Sequence, residues 1–159
     1  MGKAAEFVAK AREEVGYFEG PEDNQTKYQT AHQPWCGAFL NWCAKQVGYT
    51  QMPNLVYTPA GAEAFKGKGA WSNPATAKPQ PGDIVFFDFP GGQAIDHVGV
   101  VVKDNLDGTV VTVEGNSTPD KKVGSQSNGG EVCLKVRAYK ADNKRKLTVF
   151  IAGFGRPKW

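Results

Sequence analysis

Three residues of types that cooperate in amide hydrolysis occur in order along the chain, namely Cys36, His97 and Glu114. A cysteine thiolate can attack an amide carbonyl, an imidazole can carry a proton to the leaving amine, and a carboxylate can orient the imidazole. The chain contains three cysteines and two histidines, so the assignment depends on where each one lies. The chemistry predicted from these residues is acyl transfer through a covalent cysteine intermediate.

Cys36 lies at the predicted beginning of a helix. Pro34 restricts the backbone just upstream, and apolar residues then recur every three or four positions, which is the period of one helical face. These apolar residues are Phe39, Trp42, Cys43 and Val47. The free N–H groups and the positive dipole end of a first helical turn stabilise a thiolate, so we expect Cys36 to be nucleophilic. The alternative is a buried structural cysteine, which is the commoner role.

Two β-type segments carry the other two residues. His97 begins the segment 97–102, where β-branched residues predict a buried strand, whereas His32 lies in the polar loop 29–33. Glu114 lies near the end of a second such segment, 110–116, and a neighbouring strand would let it accept a hydrogen bond from His97. The alternatives are a surface histidine at a strand end and a solvated carboxylate.

Four segments form an ordered pattern along the chain: PWCGAF at 34–39, PGDIVFF at 81–87, DHVGVV at 96–101 and VEGNS at 113–117. They resemble the signature blocks of the CHAP family, the cysteine, histidine-dependent amidohydrolases/peptidases, and the resemblance covers nearly the whole chain. It implies a papain-like fold and a peptidoglycan amide hydrolase, most often the catalytic domain of a bacteriophage endolysin. In that scheme Cys36 is the nucleophile, His97 the general base, Glu114 the orienting carboxylate and Asn116 a further polar residue that supports the site.

The loop before Cys36 supplies candidates for substrate binding. We expect the backbone N–H of Cys36 to be one oxyanion donor, and Tyr28 or Gln33 to be the second. Trp35 is predicted to form a wall of the cleft, with a core aromatic residue as the alternative. Trp71 would either stack on the substrate or cap the core.

No metal or other cofactor is expected. The spacing of the cysteines and histidines does not fit a zinc site, and Asp23 and Asn24 lack the run of neighbouring carboxylates that calcium usually requires. Cys43 is predicted to lie in the core and Cys133 in a strand. An odd number of cysteines without disulfide-type spacing is typical of a reducing compartment.

Length and composition predict a single globular domain over residues 1–159. The family resemblance implies a catalytic domain without a wall-binding module, either a single-domain lysin or an excised catalytic domain. The basic residues form no stripe of the kind that binds nucleic acid. The net charge of +3 favours approach to the anionic wall. The chain has neither a signal peptide nor an apolar segment long enough for membrane insertion, so we expect synthesis in the cytoplasm. We also expect a monomer. The resemblance implies a holin as the export partner and peptidoglycan as the substrate.

The elements that must position the site are predicted to be helices first and an antiparallel sheet afterwards, which makes an α+β fold. Helices are expected near 3–15, 35–47 and 59–65, and strands near 83–89, 97–103, 109–115, 131–138 and 147–153. The polar segment 116–130 is predicted to be a loop beside the site, and 140–146 a solvated hairpin turn.

Two other functions remain open. NlpC/P60 peptidases share the papain-like cysteine and histidine, but they usually place a second histidine where this chain has Glu114. A non-catalytic wall-binding or phage structural module would keep the fold without the chemistry, which the intact set of three catalytic residue types disfavours.

Overall fold

The structure, a computed structural model, describes residues 2–92 and 94–159. The described part contains, in order, α1 (Lys3–Glu13), α2 (Cys36–Gln46), α3 (Thr58–Gly67), β1 (Trp71–Ser72), β2 (Ile84–Phe87), β3 (His97–Asp104), β4 (Thr109–Ser117), β5 (Glu131–Ala138) and β6 (Ile151–Gly155). Within these two ranges, no helix has the length and apolar content needed to cross a bilayer. Helices precede the sheet, which confirms the predicted α+β class.

The strands form one antiparallel sheet in the spatial order β1-β6-β2-β3-β4-β5. Since β3 pairs with both β2 and β4, the strands that carry His97 and Glu114 are neighbours, as the sequence predicted. The register places His97 opposite Phe87 and Glu114 opposite Cys133.

Two apolar clusters form the core. Along β2, Ile84 and Phe86 belong to the larger cluster, whereas Val85 and Phe87 belong to the smaller one. Successive side chains of a strand point to opposite faces, so the clusters lie on opposite sides of the sheet. The larger cluster contains buried residues of all three helices and so holds the helix that begins at Cys36 against the sheet.

Two predicted elements differ from the structure. The last strand begins at Ile151 and not at residue 147, because Leu147 pairs with Asp142 in an isolated bridge that closes the preceding turn. Trp71 lies in the short strand β1, which the sequence did not predict, and its ring covers Gly153. The structure therefore favours the core-capping alternative for Trp71.

Candidate active site

Cys36 is the first residue of α2 and is 5% exposed. The helix is fixed near its middle by Asn41, whose side chain donates to the carbonyl of Pro53 at 2.9 Å and accepts from the N–H of Leu55 at 2.8 Å. The backbone of Leu55 packs so closely on Gly37 that any side chain there would overlap it. The nucleophile candidate is thus held on a rigid element.

His97 is fully buried at the beginning of β3. Its Nε2 lies 2.9 Å from Oε1 of Glu114, while Nδ1 has no hydrogen-bond partner among the residues described and is the nitrogen left for the sulfur of Cys36. Burial lowers the pKa of His97, but Cys36 and Glu114 outweigh this effect and raise that pKa to about 9. The imidazolium form is therefore favoured at neutral pH.

Glu114 is also fully buried, and its carboxylate accepts four hydrogen bonds. Oε1 accepts from His97 at 2.9 Å and from Nη2 of Arg137 at 2.6 Å, and Oε2 accepts from Thr112 at 2.6 Å and from Nε of Arg137 at 2.8 Å. Burial raises the pKa of Glu114, but Arg137 and His97 outweigh it and hold that pKa far below its usual range. Gly99 leaves room for this side chain, since a Cβ there would lie 2.7 Å from Cγ of Glu114.

Arg137 is the residue of the site that sequence reasoning missed. On β5, Cys133, Lys135 and Arg137 alternate with Leu134 and Val136, a pattern that normally places the charged side chains in solvent. The structure shows the reverse, because Lys135 is buried whereas Leu134 and Val136 are 48% and 57% exposed. Lys135 and Arg137, two cationic residues two positions apart and close to a long polar loop, are the sequence signal that would have indicated a role for Arg137.

Asn116 lies at the end of β4 and is fully buried, with a positive φ of 57°. Its Oδ1 accepts from the N–H of Gly130 at 2.9 Å, and its Nδ2 donates to Asn128 at 3.0 Å. These bonds tie the segment 118–130 to β4. Asn116 makes no hydrogen bond to His97 among the described residues, and its supporting role at the site stays a prediction.

A profile of the family described as "CHAP domain" matches residues 25–116, which is more than half of the chain and includes Cys36, His97 and Glu114. The chain belongs to the CHAP domain family. As a class, CHAP domains are peptidoglycan hydrolases with amidase or peptidase activity.

A solved structure, described as "The crystal structure of Ly7917", is similar to this CHAP domain. The TM-score is 0.53 at 14% sequence identity, and the alignment covers 97% of this chain and 62% of the other. This chain thus spans about three fifths of the length of that structure. The likeness concerns the fold, and it confirms the papain-like α+β architecture. A search of curated proteins found no match.

Two of the substrate-binding residues predicted for the CHAP domain have other partners. Tyr28 donates its hydroxyl to Glu14 at 2.7 Å, and burial together with that bond raises its pKa, so the prediction of Tyr28 as an oxyanion donor is corrected. Trp35 is fully buried and donates its Nε1 to Glu19 at 2.9 Å, so it is the core aromatic of the alternative and not an open cleft wall. Gln33 is exposed three residues before the nucleophile candidate and stays a prediction.

An exposed aromatic residue lies in the segment 55–58, whose neighbouring residues contact the surroundings of Cys36 and His97. Tyr57 is 70% exposed, and it follows the Leu55 backbone that packs on Gly37. The next residue, Thr58, donates its hydroxyl to the carbonyl of Ile95, two residues before His97, at 3.0 Å. The segment 55–58 therefore bridges the neighbourhoods of Cys36 and His97.

Outside the catalytic residues, His32 and the Asp23 turn lie as the sequence predicted. His32 is exposed, and its Nδ1 lies 3.2 Å from Glu22. Asp23 and Asn24 form a turn in which Asn24 has a φ of 58° and its N–H donates to Glu19. Across 2–92 and 94–159, no group of three or more His, Cys, Asp or Glu residues lies close enough together to hold a metal ion.

Proposed function

We propose that this CHAP domain cleaves an amide bond of peptidoglycan by cysteine-based acyl transfer and thereby lyses bacterial cells. The observation that carries the proposal is the fully buried pair of His97 and Glu114, joined at 2.9 Å, with one imidazole nitrogen left for Cys36 at the helix beginning. An orienting carboxylate, an imidazole and a thiol in that order are the parts that a cysteine hydrolase needs.

Each residue has one role in the proposed reaction. The thiolate of Cys36 attacks the amide carbon, and the backbone N–H of Cys36, unpaired within the first helical turn, donates to the oxyanion. The imidazolium of His97 gives its proton to the departing amine, which leaves an acyl-enzyme. Neutral His97 then takes a proton from water, whose oxygen attacks the thioester and regenerates the Cys36 thiolate and the imidazolium.

The substrate is expected to lie between the segment 55–58 and the segment 118–130, with Tyr57 and Gln33 as contact residues. Tyr57 offers a large exposed ring for packing, and Gln33 is the remaining candidate for the second oxyanion donor. The bond that is cut is then either the N-acetylmuramoyl-L-alanine amide or an amide of the stem peptide or cross-bridge.

The cellular context of the proposal is that of a bacteriophage endolysin. The CHAP resemblance and the net charge of +3, which favours the anionic wall, support it. We expect lysis upon expression in a host only when a holin is co-expressed. Lysis without any holin would contradict the export route but not the hydrolase activity.

The deciding experiment is digestion of purified peptidoglycan, with turbidity for the rate and mass spectrometry for the products. We expect clearing by the wild type and none by Cys36→Ala, with new amine and carboxyl ends at one kind of amide bond. Cys43→Ala is the matched control, and it should clear the wall like the wild type. A wild type without activity would favour a wall-binding module, and cleavage between D-glutamate and the diamino acid would give this CHAP domain the stem-peptide specificity of NlpC/P60-type peptidases.

A further inference from the structure

We propose that Arg137 is a positioning residue of the active site, whose guanidinium fixes both the orientation and the ionised state of Glu114 and so governs the protonation of His97. The inference rests on the proposed function, because it gives Arg137 a role in the same cysteine-based reaction. It goes further in naming a fourth charged group on which the catalytic residues depend.

Arg137 and Glu114 form a bidentate ion pair, in which the guanidinium meets the carboxylate like a fork. Nε of Arg137 donates to Oε2 of Glu114 at 2.8 Å and Nη2 donates to Oε1 at 2.6 Å, so the planar guanidinium meets both carboxylate oxygens. A carboxylate offers about four lone-pair sites, and those of Glu114 are taken by this fork, by Thr112 and by His97. The carboxylate therefore cannot rotate away from His97 without breaking the fork.

The Arg137 side chain is itself held in place. Its guanidinium lies 5.2 Å from the ring centres of both Phe87 and Phe89, and Nη2 also donates to Gln126 at 3.1 Å. The same two rings pack against His97, with centroid distances of 5.4 and 5.7 Å. Arg137 and His97 thus share their apolar walls, and the Arg137 side chain is only 12% exposed.

The charges of the buried group determine in which direction its proton affinity should change when Arg137 is removed. With the thiolate of Cys36, the imidazolium of His97, the carboxylate of Glu114 and the guanidinium of Arg137, the buried group has a net charge of zero. Removal of the guanidinium leaves one uncompensated negative charge in a buried place, which binds protons more tightly. The cluster then keeps the His97 proton to higher pH and gains a further proton, on Cys36 or Glu114, more readily.

The other titratable groups that face this cluster do not replace Arg137. Cys133 lies opposite Glu114 on β5, and burial together with Glu131 raises its pKa to about 12, so it stays neutral. Asp120 lies on the segment 118–130 with a 72% exposed side chain, and it is bound to Lys135 at 2.6 Å.

The test in the resting protein is a histidine NMR titration, which needs no wall substrate. We expect Arg137→Gln to move the His97 midpoint upward by about one pH unit, because a cation beside a carboxylate changes pKa values on that scale. Arg137→Lys keeps the charge and should leave the midpoint near that of the wild type. His32, exposed and distant in sequence, is the internal reference, and Arg145→Gln, at an exposed ion pair with Asp107, is the matched control.

The test in the active enzyme is the rate of wall hydrolysis as a function of pH. Arg137→Gln should lower the rate at pH 7 by roughly a hundredfold and move the pH optimum upward, whereas a purely structural role would lower the rate equally at every pH. Arg137→Lys should keep the optimum but not the full rate, since one ammonium group cannot replace the fork. In a Glu114→Gln background, Arg137→Gln should cost no more than about twofold further.

Three results would overturn the inference: an unmoved His97 midpoint in folded Arg137→Gln, a wild-type rate in Arg137→Lys, or the same hundredfold loss in the Glu114→Gln background. If Arg137→Gln does not fold, as judged by circular dichroism, the Arg137→Lys rate and its His97 midpoint decide alone. Failure of the proposed function is recognised separately, because the wild type would then not clear the wall, or Cys36→Ala would still clear it, while the His97 titration still reports on Arg137.

Discussion

At the scale of single residues, the three cysteines differ in their surroundings although all three are unbonded. Burial raises the pKa of Cys43 well above its ordinary value, and burial together with Glu131 raises that of Cys133 to about 12. Cys36 alone begins a helix and has an imidazole beside it. Reactivity should therefore be confined to one of the three thiols.

We predict that iodoacetamide at neutral pH alkylates Cys36 first, and that this modification abolishes wall hydrolysis. Mapping of the labelled peptide by mass spectrometry, with activity followed in parallel, measures both. His97→Ala should slow the labelling of Cys36, because the cation that stabilises the thiolate is lost. Faster labelling of Cys43 or Cys133, with activity lost in step, would assign the nucleophile to another thiol.

The pH dependence follows from His97. Its pKa in the folded protein is raised to about 9 from an ordinary value of 6.5, so the catalytic imidazolium persists at neutral pH and is lost as the pH rises through about 9. Wall hydrolysis should therefore fall on the basic side near pH 9, measured as initial rates on purified walls.

Glu114→Gln removes one of the charges that keep the His97 proton in place. We expect the basic fall of activity to move to lower pH in this variant, with a smaller loss of rate at neutral pH than in Cys36→Ala or His97→Ala. His32→Ala should match the wild type. A basic fall near pH 6.5 in the wild type would show that His97 titrates as an ordinary histidine.

The catalytic residues show which parts of a site a sequence reveals. Cys36, His97 and Glu114 were found because each lies at or near the end of a recognisable segment and has a reactive side chain. Arg137 was missed because its partner is set by the register of β4 and β5, which local periodicity does not contain. Tyr28 was misassigned for the same reason, since its bond to Glu14 joins α1 to a distant loop.

At the scale of elements, α2 is fitted against the segment 53–55. Gly37, the second residue of this helix, faces the carbonyl of Leu55 with no room for a side chain, and Asn41 binds the same segment twice. The position of the nucleophile thus depends on a backbone contact that only glycine allows.

We predict that Gly37→Ala destabilises the fold by about 2–3 kcal/mol, because the methyl group must displace the Leu55 backbone. Thermal unfolding measures the loss, and wall hydrolysis below the melting temperature should also fall as Cys36 moves. Gly67→Ala, in α3 with open space around the new methyl group, is the control and should not lower stability. Equal melting temperatures for the two variants would contradict the close fit.

The sequence predicted the helices and strands well, but it predicted less well which side chains of a strand point toward the core. All three helices and five of the strands lie near the expected ranges, because long periodic runs and Gly- or Pro-rich breaks fix them locally. The two-residue β1 carries too little pattern to be recognised. Which side chains of β5 are buried depends on the segment 118–130, which hydrogen bonds to Asn116 and Lys135 hold in place. Local periodicity does not contain these contacts.

At the scale of the whole molecule, the proposed chemistry is supplied by side chains and one backbone N–H group of the chain. We predict that exhaustive chelation leaves the rate of wall hydrolysis unchanged, since a thiolate with an imidazole partner needs no Lewis acid. The measurement compares the rate after dialysis against a chelator with the rate after calcium or zinc is added back. A loss of activity that calcium restores would point to a binding site at the turn of Asp23 and Asn24.

The raised pKa values of two of the three buried thiols have a consequence for redox chemistry. Peroxide reacts with thiolates, so oxidation should begin at Cys36 and stop at the sulfenic acid if the exposure is brief. Cys43 and Cys133, held as neutral thiols inside the fold, would be spared. An oxidised sample would then be folded but inactive, and a small thiol reductant would restore its activity.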